Sequence, residues 1–268
     1  MSRIAATFAT LRAAGERAFA PFVTAGDPDL ETTAELILAL ADSGADLIEI
    51  GIPFSDPSAD GPTIQRASER ALAKGTTLRK VLPLVARLRA QVKIPLLLMG
   101  YANPFYALGS EGCAAACADA GVDGILCPDL PPEEGADLYG AFAKRGVDSV
   151  LLASPTTTPA RMRMLVHNTR GFLYYVSLTG VTAARSELAA GIEASVAGIR
   201  RLGDIPVCVG FGVSRPEHAR EIGRYADGVA VGSAIVSEIE AAPSRGAAVE
   251  AVARFARAMK GALRGAGG

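Results

Sequence analysis

The chain has 268 residues, 50% of them hydrophobic and 21% charged, with 27 basic against 28 acidic side chains. That much apolar surface offsets the ordering entropy of a large core and excludes an intrinsically disordered chain. Near-neutrality without a basic cluster excludes the electrostatic footprint of a nucleic-acid binder. No apolar run approaches the ~18 residues of a membrane span, and the opening MSRIAATFATLRAAGERAF lacks a signal peptide's unbroken apolar stretch, so a cytoplasmic location is expected.

Short apolar, β-branched runs alternate with longer Ala-, Leu- and Glu-rich segments, the rhythm of repeated βαβ units. A helix over Ser2 to Glu16 comes first. Strands are predicted near 18–24, 46–51, 95–99, 123–127, 147–152, 171–176, 205–209 and 227–231. Helices are predicted near 29–43, 62–74, 78–92, 110–119, 132–145, 159–169, 191–202, 215–223 and 246–264. Asp29, Pro132, Pro159 and Pro216 read as caps or first-turn prolines. GVDGIL from 121 and YADGVAV from 225 read as helix ends feeding strands. Eight strands buried on both faces build either a closed barrel or an open doubly wound sheet. The count and the length favour the barrel, and the first turn, VTAGDP at 23–28, is not the GxGxxG that an open dinucleotide-binding sheet wants. The expected fold is therefore a single (β/α)8 TIM barrel over residues 1–268 with an extra N-terminal helix, since no linker interrupts the alternation.

Cys113, Cys117, Cys127 and Cys208 form no CxxC and read as small buried hydrophobes; His167 and His218 read as surface residues, so no metal is expected. Lys74, Lys80, Lys93, Lys144 and Lys260 fall in helical stretches or just before a strand, which leaves no Schiff-base lysine at a strand's C-terminal end. The barrel's chemistry belongs at that end, where two loops are long: 52–62 and 177–191. Glu49 interrupts the strand Leu47–Ile48–Glu49–Ile50 and shares a face with Leu47. On a strand buried on both sides it is paired, protonated or catalytic, and partial desolvation raises its pKa toward neutrality. Asp60 reads equally as a second carboxylate over the barrel mouth or as the N-cap of the helix at Gly61–Pro62–Thr63. Gly210 and Gly212 after the seventh strand, with Gly232 and Ser233 after the eighth, suit a phosphate cup, although each pair alone is also a tight turn. Phe22, Tyr101, Tyr174 and Phe211 fall at strand ends and either line a pocket or pack the core.

The stretches PFVTAGDP (21–28), ADLIEIGIPFSDPSADGPTIQRA (45–67), LLLMGYANPF (96–105), GVDGILCPDLPPEE (121–134), GVT (180–182), GFGVS (210–214) and GSAIV (232–236) closely resemble the tryptophan synthase alpha subunits, in the right order over nearly the whole chain. The resemblance implies a cofactor-free lyase that cleaves indole-3-glycerol phosphate to indole and glyceraldehyde 3-phosphate. It implies Glu49 as the acid/base at indole C3 and the glycerol hydroxyl, and Asp60 as the carboxylate on the indole N–H. Phe22, Ile64, Tyr101, Tyr174, Thr182 and Phe211 would contact substrate, while Gly180, Ala183, Gly210, Gly212, Gly232 and Ser233 would serve the phosphate, Thr182 also supporting a lid after the sixth strand. It also implies an αββα heterotetramer with a pyridoxal-phosphate beta subunit, faced by Asp56, Pro57, Asp129 and Pro131. One departure is Ala183, where the family usually has the glycine of GVTG; if that position needs a positive φ, lid closure suffers.

Overall fold

All eight expected strands form in the computed structural model: β1 (Ala18–Thr24), β2 (Ile48–Gly51), β3 (Leu96–Met99), β4 (Gly124–Leu126), β5 (Asp148–Ala153), β6 (Leu173–Val176), β7 (Val207–Gly210) and β8 (Gly228–Val231). They pair in parallel in chain order, and β8 closes onto β1 to complete a (β/α)8 barrel. The structure describes residues 1–176, 185–210 and 212–264, and of residues 185–190 the backbone alone. Helices α1 (Arg3–Ala13), α2 (Leu30–Asp42), α3 (Pro62–Ala73), α4 (Leu78–Arg89), α5 (Ala102–Tyr106), α6 (Ser110–Asp119), α7 (Ala136–Lys144), α8 (Pro159–Asn168), α9 (Arg185–Arg200), α10 (Pro216–Gly223), α11 (Ser233–Ala241) and α12 (Arg245–Arg264) complete the described elements. None of them is long and apolar enough to cross a membrane.

Strand parity sorts the apolar side chains into two cores. Ala18, Ala20, Leu47, Leu97, Leu126, Val150, Cys208 and Ala230 point inward and fill the barrel. Their neighbours Phe19, Ile48, Ile50, Leu96, Leu98, Ile125 and Val229 point outward into the helical ring. The extra N-terminal helix closes the barrel floor: Ser2 caps α1 by accepting the Ala5 N–H, and Ile4, Phe8 and Leu11 enter the inner core. All four cysteines are buried, His167 is exposed and His218 half-buried.

The aspartates before the even strands have a shared task. Asp46, Asp123 and Asp227 each give a backbone N–H to the carbonyl of Phe19, Leu96 or Val207. Each then accepts that same residue's N–H on its carboxylate, at 2.7, 2.8 and 2.9 Å respectively. Thr169 does the same for Leu151 with its hydroxyl, at 3.0 Å. A backbone N–H at or next to the start of β1, β3 and β7, and at Leu151 within β5, is thus held by the polar residue that leads into the next even strand, and a cation neutralises each aspartate: Lys260, Arg89 and Arg200.

Some expectations are corrected. The helix placed at 132 begins at Ala136, because the Gly135 N–H bonds back to the Pro131 carbonyl and closes a separate turn. The loop read through 191 ends sooner: α9 starts at Arg185, where Glu187, Leu188, Ala189 and Ala190 are strong helix formers. Helices α5 and α11 were not expected. The first is five residues long, and the second carries Ala234–Ile235–Val236, which reads as a strand when its packing is unknown.

Lys260 is 4% exposed, and its Nζ reaches Asp46 at 2.8 Å and the Arg17 carbonyl at 3.1 Å, while burial pushes the Asp46 carboxyl up. Lys260→Met leaves that carboxylate buried without its cation. A loss of about 3–5 kcal/mol is expected from urea unfolding, partly restored in Lys260→Met with Asp46→Asn; a loss of only a few tenths, as for a surface pair, would contradict this reading.

Candidate active site

Inward-facing positions at the C-terminal ends of the strands converge over the inner core. Glu49 pairs in register with Phe22 on β1 and Leu97 on β3 and lies on the inner face, as the shared parity with Leu47 requires. It is 1% exposed, and its Oε1 has no hydrogen-bond partner among the described residues. Burial alone pushes its carboxyl up to about 8, so at neutral pH it is mostly protonated.

Asp60 is not a helix cap. Gly61 occupies the N-cap of α3, with no side-chain bond to the first turn, and Pro62 follows. The Asp60 carboxylate instead accepts the Tyr101 hydroxyl at 3.0 Å on Oδ2, while the Tyr101 oxygen accepts the Ala59 N–H at 3.0 Å. Gln65 Nε2 donates to the Asp60 carbonyl at 2.9 Å, and Phe54 stacks on Tyr101 with centroids 5.2 Å apart. Burial raises the Asp60 carboxyl to about 6 against the opposing Tyr101 bond. Near pH 7 the two carboxyls therefore differ, Glu49 neutral and Asp60 largely ionised, the separation that assigns acid and base roles in a shared site. Both act on the Tyr174 phenol, which burial, then Glu49 and more weakly Asp60 hold well above its ordinary range.

The walls are apolar. Phe22 packs with Ala67 and Val236, and Ile64 and Met99 complete that cluster. The Phe22 ring lies so close over Gly51 that a Cβ there would come within 2.3 Å of it. At Gly210 an added Cβ would come to 2.2 Å from the Tyr174 hydroxyl. On the far side, Gly232 lies beside Ile64 and Phe22 and is the N-cap of α11, giving its first turn no side-chain cap. Ser233 is exposed at that helix start, an arrangement suited to an anion. Gly212, exposed at φ +75°, takes a conformation that favours glycine.

The structure thus brings together Glu49, Asp60, Phe22, Ile64, Tyr101, Tyr174, Gly210, Gly232 and Ser233. Gly180, Thr182, Ala183 and Phe211, and with them the expected lid, lie outside the described residues. Asp56 is exposed and Pro57 half-buried on the β2–α3 loop, beside a cleft of about 340 Å³ lined by Phe54, Ser58 and Gln65. Asp129 is exposed and accepts the Ala102 N–H at 3.0 Å, so it also ties the loop after β4 to that after β3; Pro131 is half-buried nearby. The sequence reading missed Gly51 and Thr24, whose buried hydroxyl has no partner among the described residues. The strand-end position of Thr24, two residues beyond Phe22 on the same face, was the available signal.

The model of the family described as "Tryptophan synthase alpha chain" matches residues 8–264. The chain belongs to that family. It is 53% identical over 240 residues to the tryptophan synthase alpha chain of Geobacter sp. (strain M21), covering 90% of each chain, and 51% identical over 269 residues to that of Geotalea uraniireducens (strain Rf4), covering 100% of each. Among solved structures, it is similar to tryptophan synthase subunit alpha from Legionella pneumophila str. Paris, with TM-score 0.90, 39% identity and 98% of each chain covered. It is also similar to a chain of M. tuberculosis tryptophan synthase in its ligand-free form, with TM-score 0.89, 32% identity and coverage of 98% of this chain and 100% of that one. As a tryptophan synthase alpha chain it is a carbon–carbon lyase of tryptophan biosynthesis that cleaves indole-3-glycerol phosphate.

A carboxyl whose pKa is higher folded than unfolded binds its proton more tightly in the folded state, so its favourable contribution is complete below about 4.5 and is lost as pH rises through about 8. Gln mimics the neutral form at every pH. The stability of Glu49→Gln relative to the parent should therefore rise between pH 5 and pH 9 by on the order of a few kcal/mol, read from urea midpoints; a difference independent of pH would show that Glu49 is not held protonated.

Proposed function

We propose that Glu49 and Asp60 divide the lyase chemistry between them. The supporting observation is the split in their protonation, a buried neutral acid beside a tyrosine-held carboxylate. Protonated Glu49 delivers its proton to indole C3, and the positive charge that appears at the ring nitrogen is offset by ionised Asp60 on the indole N–H. The Glu49 carboxylate so formed takes the proton of the glycerol hydroxyl next to the ring. The carbon–carbon bond then breaks, its electron pair returning to the ring, and indole and glyceraldehyde 3-phosphate form with Glu49 protonated again. No proton is gained or lost over the cycle.

In this reading Phe22, Ile64, Tyr101 and Tyr174 hold the indole and glycerol portions, with Phe211 and Thr182 added from sequence. Gly210, Gly212, Gly232 and Ser233 cradle the phosphate, joined by Gly180 and Ala183. The chain acts in the cytoplasm as one barrel domain over residues 1–268 and uses no metal or organic cofactor. Indole passes to a beta subunit, where pyridoxal phosphate is expected, in an αββα heterotetramer. Asp56, Pro57, Asp129 and Pro131, on loops around the same mouth, face that partner.

With indole release followed directly, Glu49→Gln should lower kcat by at least about 10²-fold, because one group performs both proton transfers. Asp60→Asn should lose a comparable factor through its missing charge, and adding a beta subunit should accelerate the parent. A Glu49→Gln variant that releases indole at the parental rate would remove Glu49 from the reaction.

A further inference from the structure

Four side chains beside the site join three of its supports without lining it. Arg70, in the third turn of α3, aims its guanidinium at Asp27 in the β1–α2 loop: Nε donates to Oδ1 at 2.7 Å and Nη2 to Oδ2 at 2.8 Å. Its Nη1 donates to Glu240 Oε1 on α11 at 2.8 Å. Arg66, one turn earlier, donates to both oxygens of Glu240, at 3.0 and 2.8 Å. Asp27 is 2% exposed and depends on this fork for its charge compensation. The guanidinium bonds, from Arg66 first, hold the Glu240 carboxyl down to about 2.

Each joined element also carries part of the site. β1 carries Phe22. α3 starts just after Asp60, carries Ile64, and holds the Asp60 carbonyl through Gln65. α11 starts at Ser233, and Ser233, Val236 and Glu240 recur at spacings of three and four, on one face of that helix. The same three elements also meet in the small apolar cluster of Phe22, Ala67 and Val236, with Ile64 and Met99 packed against it, which forms a wall of the site. Apolar contact is non-directional and does not by itself fix how far α11 sits along α3; a bidentate fork does. The loop bearing Asp27 also packs against the turn that follows α3, since at Gly26, with φ +88°, a Cβ would meet Thr76 Oγ1 at 2.1 Å.

We propose that Arg70 is a positioning residue of the lyase site: through Asp27 and Glu240 it sets the spacing between Asp60, on the indole side, and the start of α11, on the phosphate side. This rests on the assignment of those two ends under Proposed function. A substrate held at both ends requires that spacing to be right, and a misplacement of about 1 Å costs roughly 10²-fold in rate.

The test compares the full-length parent with Arg70→Leu, Arg70→Lys, which keeps the charge and loses the fork, and Glu240→Gln, which loosens only the α11 limb. For each, kcat and KM for indole-3-glycerol phosphate are measured beside the dissociation constants of indole and of glycerol 3-phosphate, which probe the two ends separately. Arg70→Leu and Arg70→Lys should lose about 10- to 100-fold in kcat/KM and Glu240→Gln several-fold, while both fragments bind within about threefold of parental affinity. If kcat/KM per folded molecule is unchanged, or if fragment binding weakens by the same factor, Arg70 is structural and the proposal is overturned. Should Arg70→Leu fail to fold, an unchanged kcat/KM in Glu240→Gln overturns it equally. A parent that does not cleave the substrate overturns the assignment of the site itself, a result distinct from either.

Discussion

Taking a carboxyl out of water costs several kcal/mol unless it is neutralised or paired, and the inner wall of this barrel holds one, Glu49, at 1% exposure with an oxygen that bonds to nothing among the described residues. Neutralisation is the remaining solution, and it makes the residue a proton donor near neutral pH. The surroundings preserve that state. Phe22 lies beside it in register, Tyr174 lies within reach of its charge, and the second carboxyl, Asp60, is kept on a separate tyrosine.

The two ends of the barrel meet different physical demands. At the N-terminal end, polar groups are matched nearly one to one: Asp46, Asp123 and Asp227 clasp the preceding strands and are themselves neutralised by Lys260, Arg89 and Arg200. At the C-terminal end, Glu49 Oε1 and the Thr24 hydroxyl have no hydrogen-bond partner among the described residues, and the N-cap of α11, Gly232, supplies no side-chain cap. The Ser149 hydroxyl, at the start of β5, is the exception at the floor; the open groups at the mouth are placed where substrate can complete their bonding.

Local signals in the chain carried the architecture and the position of Glu49. Alternation and length placed all eight strands, and parity set Glu49 on one face with Leu47; that this face is the inner wall required the closed sheet. What was not legible depended on distant partners. The repeated Asp before strands was visible, but its bond to the neighbouring strand spans residues such as Asp123 and Leu96, which only the sheet register brings together. Asp60 looked equally like a helix cap until Tyr101, 41 positions away, was seen to hold it. Helix α11 was hidden because Ala234–Ile235–Val236 is as apolar as a strand, and the break at Gly135 because a proline pair resembles a helix start. The ionic link from Arg70 to Asp27 and Glu240 joins three segments far apart in sequence, so no spacing in the chain announces it.

The central claim is that the working enzyme carries Glu49 protonated and Asp60 ionised, and the pH dependence of kcat/KM for indole-3-glycerol phosphate tests it most directly, since that quantity reports the ionisations of the free enzyme. The account predicts a bell, rising through about pH 6 as Asp60 ionises and falling through about pH 8 as Glu49 loses its proton. Activity that keeps climbing above pH 8 would mean that Glu49 must start as a base, and the account would be wrong.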